Sequence, residues 1–473
     1  MSRIADCQAV YRVRKEFQRA HICLGTACGL LLSAGASAQD VAAFGSAELH
    51  EMMLDGPRDL PGKEPGPREV TPLPQQEATP PPQEREWFGG LPWSEWSRLT
   101  GDWWGGRAWL CDHGLTIDSS LTWDWSSVWT GGLRRVASDR ILFDVNATLD
   151  LETAFGWKGA SVYADAYFTD VSGGSRDVGD WQGISNIDTE ENRSELAELW
   201  FQQYMLEKHL RLKIGQIDAS YEFAFTETGR DFLHNSPAYS PTIQNLPVYP
   251  DPAFGVVLYA YPSEHWYAGA GVFDGALHDG HSTGNRWPDT AFSDSDSDSY
   301  FFIAETGFTW DGSGTWGKGR AAVGGHYHTG EYERFDGGEK DGSAGLCFVI
   351  EQQVWRKGDG DDDEQGLYLF GQIAFGQDSV NDVGMHLAGG CVLRGIGETR
   401  PDDSTGIYAS FVDLSDAPGS PYVDNETAVE VYYQFWLTES ITLTPDFQVI
   451  FTPSGDPSID TAIVGAIRVS IAF

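Results

Sequence analysis

The closing residues of the chain alternate strictly. Ile463, Gly465, Ile467, Val469, Ile471 and Phe473 fall on one side, and Val464, Ala466, Arg468, Ser470 and Ala472 on the other. A period of two puts the two sets on opposite faces of a β-strand. One face is then almost wholly apolar while the other carries an arginine and a serine, as in a strand standing between lipid and water. A soluble sandwich strand alternates in the same way, so this segment alone leaves both readings open. The period returns in Ile141 to Thr153, where Ile141, Phe143, Val145, Ala147, Leu149 and Leu151 alternate with Asp144, Asn146, Asp150 and Glu152. Beyond Gly114, sixteen strands of about ten residues fit between stretches of turn chemistry.

Connection lengths narrow the choice. Short links are Phe155 to Lys158, Glu207-Lys208, Pro262-Ser263 and Thr438 to Ser440; long ones run from Ser172 to Ser194, Asp218 to Pro252 and Ala276 to Asp298. Short-long alternation with an even strand count predicts an all-β, antiparallel, up-and-down transmembrane barrel of 16 strands. Its short turns and both termini face the periplasm, and its long loops the outside. The final strand must pair with the first, near Leu115 to Trp125, to remove the last open edges. No run of 18 apolar residues follows residue 38, which excludes a helical membrane protein.

The N-terminus reads as an export signal, residues 1–38. Arg3, Arg12, Arg14, Lys15 and Arg19 precede an apolar stretch from Ile22 to Leu32, and Ala36-Ser37-Ala38 offers a cleavage site. A lipoprotein cut before Cys28 is the weaker alternative, because it would sever the apolar core. From Pro57 to Pro82 the sequence is dominated by Pro, Glu and Gln, and residues 39–86 predict a disordered periplasmic linker. Residues 87–113 predict a short periplasmic element in which Trp93, Trp96, Trp103 and Trp104 pack at the barrel base. The barrel itself spans 114–473.

Composition agrees: 55 Gly and 18 Trp, 18 Tyr and 25 Phe belong to a chain that is polar overall, as in barrels whose strands face water on one side. A net charge of −39 argues against a nucleic-acid partner. Three of the six cysteines lie in the export signal, and Cys111, Cys347 and Cys391 are expected as free thiols packed like small hydrophobes. There is no GxSxG, HExxH or P-loop, so neither an enzyme nor a cofactor is expected. No metal is expected either. His326 and His328 share a strand face without a third ligand, and the acidic run from Asp359 has Glu364 and Phe370 where an EF-hand needs Gly and Glu. The serine-spaced Asp294, Asp296 and Asp298 read as a solvated turn.

Charges on inward faces are more informative. In Glu195 to Leu206 the apolar side is Leu199, Phe201 and Met205, which turns Glu198, Trp200, Gln202 and Tyr204 inward; in the next strand Arg211 and Lys213 face the channel. Arg394 and Arg468 join them. A charge on the lipid face would cost roughly 2–4 kcal/mol at mid-depth. Such groups suit sugars, whose hydroxyls bond to Arg, Glu and Gln and whose C–H faces stack on Trp and Tyr. They also suit a generic polar lumen.

At these residues the chain resembles the carbohydrate-selective porins of the OprB family. The matching stretches are LTGDWWGG (Leu99 to Gly106), ELWFQQ (Glu198 to Gln203), LRLKIGQIDASYEFA (Leu210 to Ala224), YSPTI (Tyr239 to Ile243), YPDP (Tyr249 to Pro252), Gly455-Asp456-Pro457 and the closing RVSIAF. The resemblance implies a sixteen-stranded outer-membrane barrel, often a homotrimer, that passes glucose and related mono- and small oligosaccharides by passive diffusion. It implies a long loop folded inward to constrict the channel. Asp218 to Pro252 is the matching candidate, with Arg230, Asp231 and His234 as constriction contacts beside Glu198, Trp200, Gln202, Arg211 and Lys213. Phe473 at the periplasmic rim is the expected signal for the barrel assembly machinery. The alternatives are a general diffusion porin, a secreted all-β sugar-binding protein, and a tether between envelope layers through the Pro-rich segment.

Overall fold

In the computed structural model of the chain, the described residues are 93–189, 191–286, 299–358 and 364–473. The expectations for the export signal, the Pro-rich linker, the start of order near Trp87 and most of both acidic runs lie outside them. Sixteen antiparallel strands form one closed barrel. They are β1 (Leu115–Thr130), β2 (Ala137–Asp150), β3 (Ala160–Val171), β4 (Ser194–Met205), β5 (Leu210–Ile217), β6 (Ala253–Ala260), β7 (Trp266–Asp274) and β8 (Tyr300–Trp310). They continue as β9 (Gly319–Glu333), β10 (Glu339–Arg356), β11 (Gly366–Phe375), β12 (Val383–Ile396), β13 (Arg400–Leu414), β14 (Glu426–Thr438), β15 (Ile441–Phe451) and β16 (Ala462–Ala472). Each strand pairs with its neighbours in sequence, and β16 closes on β1 from Ser120↔Ala472 to Thr130↔Ile463. Closure leaves no strand edge for lipid to meet, which is the condition for a sheet to cross a membrane.

The barrel is inside-out relative to a water-soluble protein. Its exposed side chains include Leu258, Phe302, Leu346, Phe348, Ile350, Leu387, Phe447 and Ile467, while Arg140, Asp124, His386, Glu430 and Gln448 are fully or almost fully buried. Alternation along each strand produces both sets at once. Apolar residues outside would be penalised in water and are favoured against hydrocarbon.

The N-terminal element is short. A 3₁₀ turn (Trp93–Glu95) and helix α1 (Gly106–Asp112) precede β1. The Leu99 amide donates to the Ala472 carbonyl at 2.7 Å, the Glu439 amide to Ser94, and Arg98 pairs with Asp118 on the inner face of β1. These bonds tie the element to both strands of the closure. The tryptophans depart from expectation: Trp96 and Trp103 are half-buried, but Trp93 and Trp104 are 59% and 73% exposed. The reason is local, since a helix of two turns has too little surface to cover four indoles. Of the cysteines, Cys347 is buried and Cys391 half-buried, and both remain thiols as expected.

Among the described residues, the connection after β3 folds into the lumen as well as the one after β5. The connection after β5 packs Phe223, Ala224, Ile243 and Leu246 against Val257, Phe273, Phe301 and Ile303 of the wall. The connection after β3, which contains helix α3 (Ser175–Val178; α2 is Leu151–Phe155 after β2), packs Val178 and Ile184 against Val128, Ala428, Ile450 and Val464. These contacts account for inward-facing apolar residues in a lumen expected to be polar: they are the floor on which the loops rest.

Candidate functional site

Loop backbone brought inside the barrel loses water at its N–H groups, and each must find an acceptor. Wall carboxylates supply them. Glu305 of β8 accepts from the Ala224 amide (2.7 Å), Glu351 of β10 from Thr228 (2.7 Å), and Glu430 of β14 from both Leu233 (2.7 Å) and His234 (3.2 Å). Gln372 of β11 donates to the carbonyls of Ser236 and Pro237, and His386 of β12 bonds Ser240. The loop thus spans from β5 to the opposite wall. The β3–β4 loop is held the same way: Glu426 accepts from Trp181 and Gln182, and Gln448 donates to Ile184. The two loops also bond each other, Asn186 N to Leu233 O at 2.7 Å and Asn235 N to Gly183 O at 3.0 Å. With β6–β14 covered by the loop after β5, which also meets Phe273 of β7 and Tyr408 of β13, and β14–β16 with β1 covered by the other, the wall of β2 to β5 is the one left least covered.

That wall carries the ELWFQQ and LRLK residues together. A bulge at Ala197 sets their direction: Asp165 of β3 pairs with Glu198, but Ala166 with Leu196, so one residue of β4 has no partner. Inward positions therefore shift from Glu195 to Glu198, Trp200 and Gln202. Glu198 accepts from Trp200 Nε1 at 3.1 Å and from the Asp218 amide at 3.1 Å, which holds the neck of the loop. Gly215 permits β5 to approach closely; at φ +141° a Cβ there would lie 2.2 Å from the Leu199 carbonyl oxygen.

Trp200 does not offer the open face expected of a stacking surface. Tyr163 of β3 stacks on it at 4.9 Å and 22°, and Lys213 Nζ, reaching from β5, lies 4.0 Å from its centroid. Neighbouring strands on both sides thus cover the indole, which makes it a spacer that positions Lys213. Lys213 and Arg211 both pair with Glu222 of the inward loop, and Arg211 also lies over Tyr259 and within 3.5 Å of Gln202. Glu222 and Tyr221 were missed in the sequence because nothing there says which part of the loop meets the wall. Tyr221 is 56% exposed, with the Arg230 guanidinium 4.4 Å from its ring.

The other expected residues lie apart from this group. Arg230 donates to the Ser220 carbonyl and braces the loop near Tyr221. Asp231 pairs with Arg394, 3.4 Å away, and Arg394 lies 4.0 Å over Tyr368. His234 corrects the expectation of a solute contact: it is fully buried, its ring 5.7 Å from Tyr408, because the amides of its own segment are drawn onto Glu430. Arg468 points inward as expected but is not a free lumenal charge. It grips Asp124 at 2.6 and 2.7 Å and Asn186 of the β3–β4 loop at 2.8 Å. Of the two histidines sharing a face, His328 bonds Gly275 and Gly330 and His326 stacks on Phe301. Among the described residues no group of three or more His, Cys, Asp or Glu is disposed to hold a metal ion.

Porin B of Pseudomonas aeruginosa is 24% identical to this chain over 453 residues, covering 81% of this chain and 92% of that protein. The high pH structure of Pseudomonas putida OprB superposes with a TM-score of 0.71 at 20% identity, over 81% of this chain and 100% of that one. The low pH structure of the same protein gives 0.52 at 18%, over 80% and 99%. Both likenesses speak to the fold. A sequence model of the family described as carbohydrate-selective porin, OprB family, matches residues 137–473, which runs from the start of β2 to the last residue. The chain therefore belongs to the OprB family of carbohydrate-selective porins, outer-membrane channels rather than enzymes.

Proposed function

We propose that glucose-sized sugars and small oligosaccharides diffuse along the β2–β5 wall, between it and the inward loop that follows β5. The observation that carries this reading is the assembly of Glu198, Gln202, Arg211 and Lys213 opposite Tyr221. Carboxylate, amide and ammonium groups exchange hydrogen bonds with sugar hydroxyls, and the exposed ring of Tyr221, backed by Arg230, offers an apolar face to sugar C–H groups. Arg230 and Asp231 act through the loop they brace, Arg394 through Asp231, and Arg468 through the β3–β4 loop. Both ends of the route are open to water, so transport follows the concentration gradient and requires no cofactor.

The same reading places the chain in the outer membrane after removal of residues 1–38, with residues 39–86 as a linker in the periplasm. A homotrimer would bury part of the apolar outer face, and the barrel assembly machinery would engage Phe473. The Phe473 amide bonds the Ser119 carbonyl at 2.8 Å and its ring lies 6.2 Å from Phe143, so the terminal residue sits at the seam between β1 and its neighbours.

Planar-bilayer recording of the reconstituted chain tests the function. Ion conductance that falls as glucose or maltose is added is the expected result. Conductance untouched by any sugar would mean general diffusion, and a chain extractable without detergent and without conductance would overturn the channel itself.

A further inference from the structure

The connection that follows β7 closes against β9 through two histidines. It turns at Gly275 into a 3₁₀ segment, Ala276–Asp279, and a second 3₁₀ segment, Thr283–Asn285, follows. His328 of β9 is 1% exposed, and both of its ring nitrogens are bonded: Nε2 lies 3.0 Å from the Gly275 carbonyl oxygen, and Nδ1 accepts from the Gly330 amide at 3.0 Å. A carbonyl can only accept and an amide N–H can only donate. The docked ring is therefore the neutral tautomer with its hydrogen on Nε2, and a second proton, on Nδ1, would collide with the Gly330 hydrogen. His278, from the connection itself, bonds the Glu331 carbonyl through Nε2 at 2.9 Å, and its ring lies 5.0 Å from that of His328 and 3.9 Å from that of Tyr332. Both contacts need glycine. A Cβ on Gly275 would lie 2.6 Å from His328 Nε2, and one on Gly330 2.7 Å from His278 Cδ2.

The far end of the same connection holds the roots of both inward loops. Ser282 donates to the Asp251 carboxylate, Thr283 Oγ1 to the Asp251 carbonyl at 2.9 Å, and Gln216 Nε2 to the carbonyls of Thr283 and Pro252, both at 2.8 Å. Arg193 of the β3–β4 loop reaches Asp251 at 2.7 Å and Ser282 at 2.9 Å, and Asn245 of the loop after β5 donates to Tyr332 Oη at 3.2 Å. Residues 275–286 thus form a strap from β9 to the necks of the loops that narrow the lumen. We propose that this strap is a proton-sensitive clasp: protonation of His328 and His278 in mild acid releases it from β9, and the channel then closes intermittently. A proton on His328 breaks the Gly330 bond, and one on each ring sets two like charges 5.0 Å apart. The other charged and titratable groups around the pair are Asp279 of the strap, which accepts from Ser299 at 3.3 Å, His326 on the same face of β9, Tyr332 with Lys340 of β10 opposite it, and the Asp274–Arg286 ion pair. Asp279 attracts a charged ring, but Nδ1 of His328 is filled by the Gly330 amide whatever the field. The released state therefore binds more protons than the docked one. Docking is complete above the ordinary histidine value near 6.5 and weakens as pH falls below it, by about tenfold per pH unit for each histidine protonated on release. This holds whichever solutes pass.

The test uses the full chain, in detergent for hydrogen exchange and in planar bilayers for current. Amide protection of residues 275–286 and of Gly330, corrected for the pH dependence of intrinsic exchange, should fall about thirtyfold between about pH 7.5 and pH 5 if one histidine takes up its proton on release. Over the same range single-channel current should acquire brief closures. His328→Gln offers an oxygen to the Gly330 amide and an N–H to the Gly275 carbonyl but cannot titrate. It should keep the protection seen at neutral pH and lose most of the acid response. His278→Gln should lose part of that response, and His326→Gln, which leaves both clasp bonds in place, none of it. Wild-type protection that is equal at the two pH values overturns the proposal, however well the glutamine variants fold. An acid response in His328→Gln as large as in wild type overturns it too, as does a wild-type current equally quiet in acid and at neutral pH.

Discussion

Arg468→Met is the most demanding test of how the lumen is built. Arg468 is the only charged residue of β16, yet its guanidinium makes three bonds to two other elements: two to Asp124 on β1, of 2.6 and 2.7 Å, and one to Asn186 in the β3–β4 loop at 2.8 Å. Asp124 is fully buried and also accepts from Ser185 of that loop at 2.7 Å. Removing the arginine leaves a buried carboxylate with one hydroxyl donor, a change that costs roughly 3–5 kcal/mol in comparable buried pairs. At about 1.4 kcal/mol per factor of ten, that multiplies the population of barrels with an undocked loop by roughly a hundred to a few thousand. Two assays read the change. Heat-induced unfolding in detergent should occur at lower temperature, and single-channel recordings should gain brief openings to a higher conductance as the loop leaves the lumen. The double variant Asp124→Leu with Arg468→Met removes both charges and should regain much of the lost stability, because the penalty lies in the partner left alone. Arg468→Met channels as stable and as quiet as wild type would refute the reasoning. So would a double variant no better than the worse single one, since the losses would then be those of independent sites.

Tyr221→Ala should weaken sugar block by roughly two- to twelvefold, the value of about 0.5–1.5 kcal/mol of ring contact, with little change in salt conductance; equal block in the two proteins would remove Tyr221 from the pathway. Trp200→Phe, by contrast, should leave block within about twofold of wild type, because both faces of the indole are already covered; a tenfold loss would mean that sugars do reach it. Glu430→Gln replaces one of the two oxygens that accept the amides of Leu233 and His234 with an amide nitrogen that can only donate, leaving a buried N–H unpaired at a cost of roughly 1–3 kcal/mol, and should appear as faster hydrogen exchange at those two amides. Unchanged exchange there would show that the β5–β6 loop is anchored elsewhere.

How much of this was legible depended on which contacts are local. The alternation in Ala462 to Phe473 and in Ile141 to Thr153 was readable because a strand's two faces differ by a single residue step. The neck of the β5–β6 loop was readable at its boundaries, since Ile217 ends β5 and Ala253 starts β6 on either side of the expected Asp218 to Pro252 span. The second inward loop was not. Ser172 to Ser194 looks like any polar connection, and its fate is set by Glu426 and Gln448, more than 240 residues away in the chain. His234 shows the same limit from the other side. A histidine beside Arg230 and Asp231 suggests a solute contact, but the amide pull of Glu430 turns that segment to the wall.

The amino-acid sequence by itself determined the barrel, its sixteen strands, the faces that meet lipid and the closing pair β1–β16, because those follow from period-two alternation and from the need to satisfy every backbone group in hydrocarbon. Tertiary structure alone decided which inward side chains remain open to a solute. A bulge at Ala197 aims Glu198, Trp200 and Gln202; covered faces turn Trp200 from a stacking surface into a spacer; Asp124 converts Arg468 from a lumenal charge into an anchor. Each outcome depends on a neighbour supplied by another strand or a returning loop, and no spacing within a single segment encodes that neighbour.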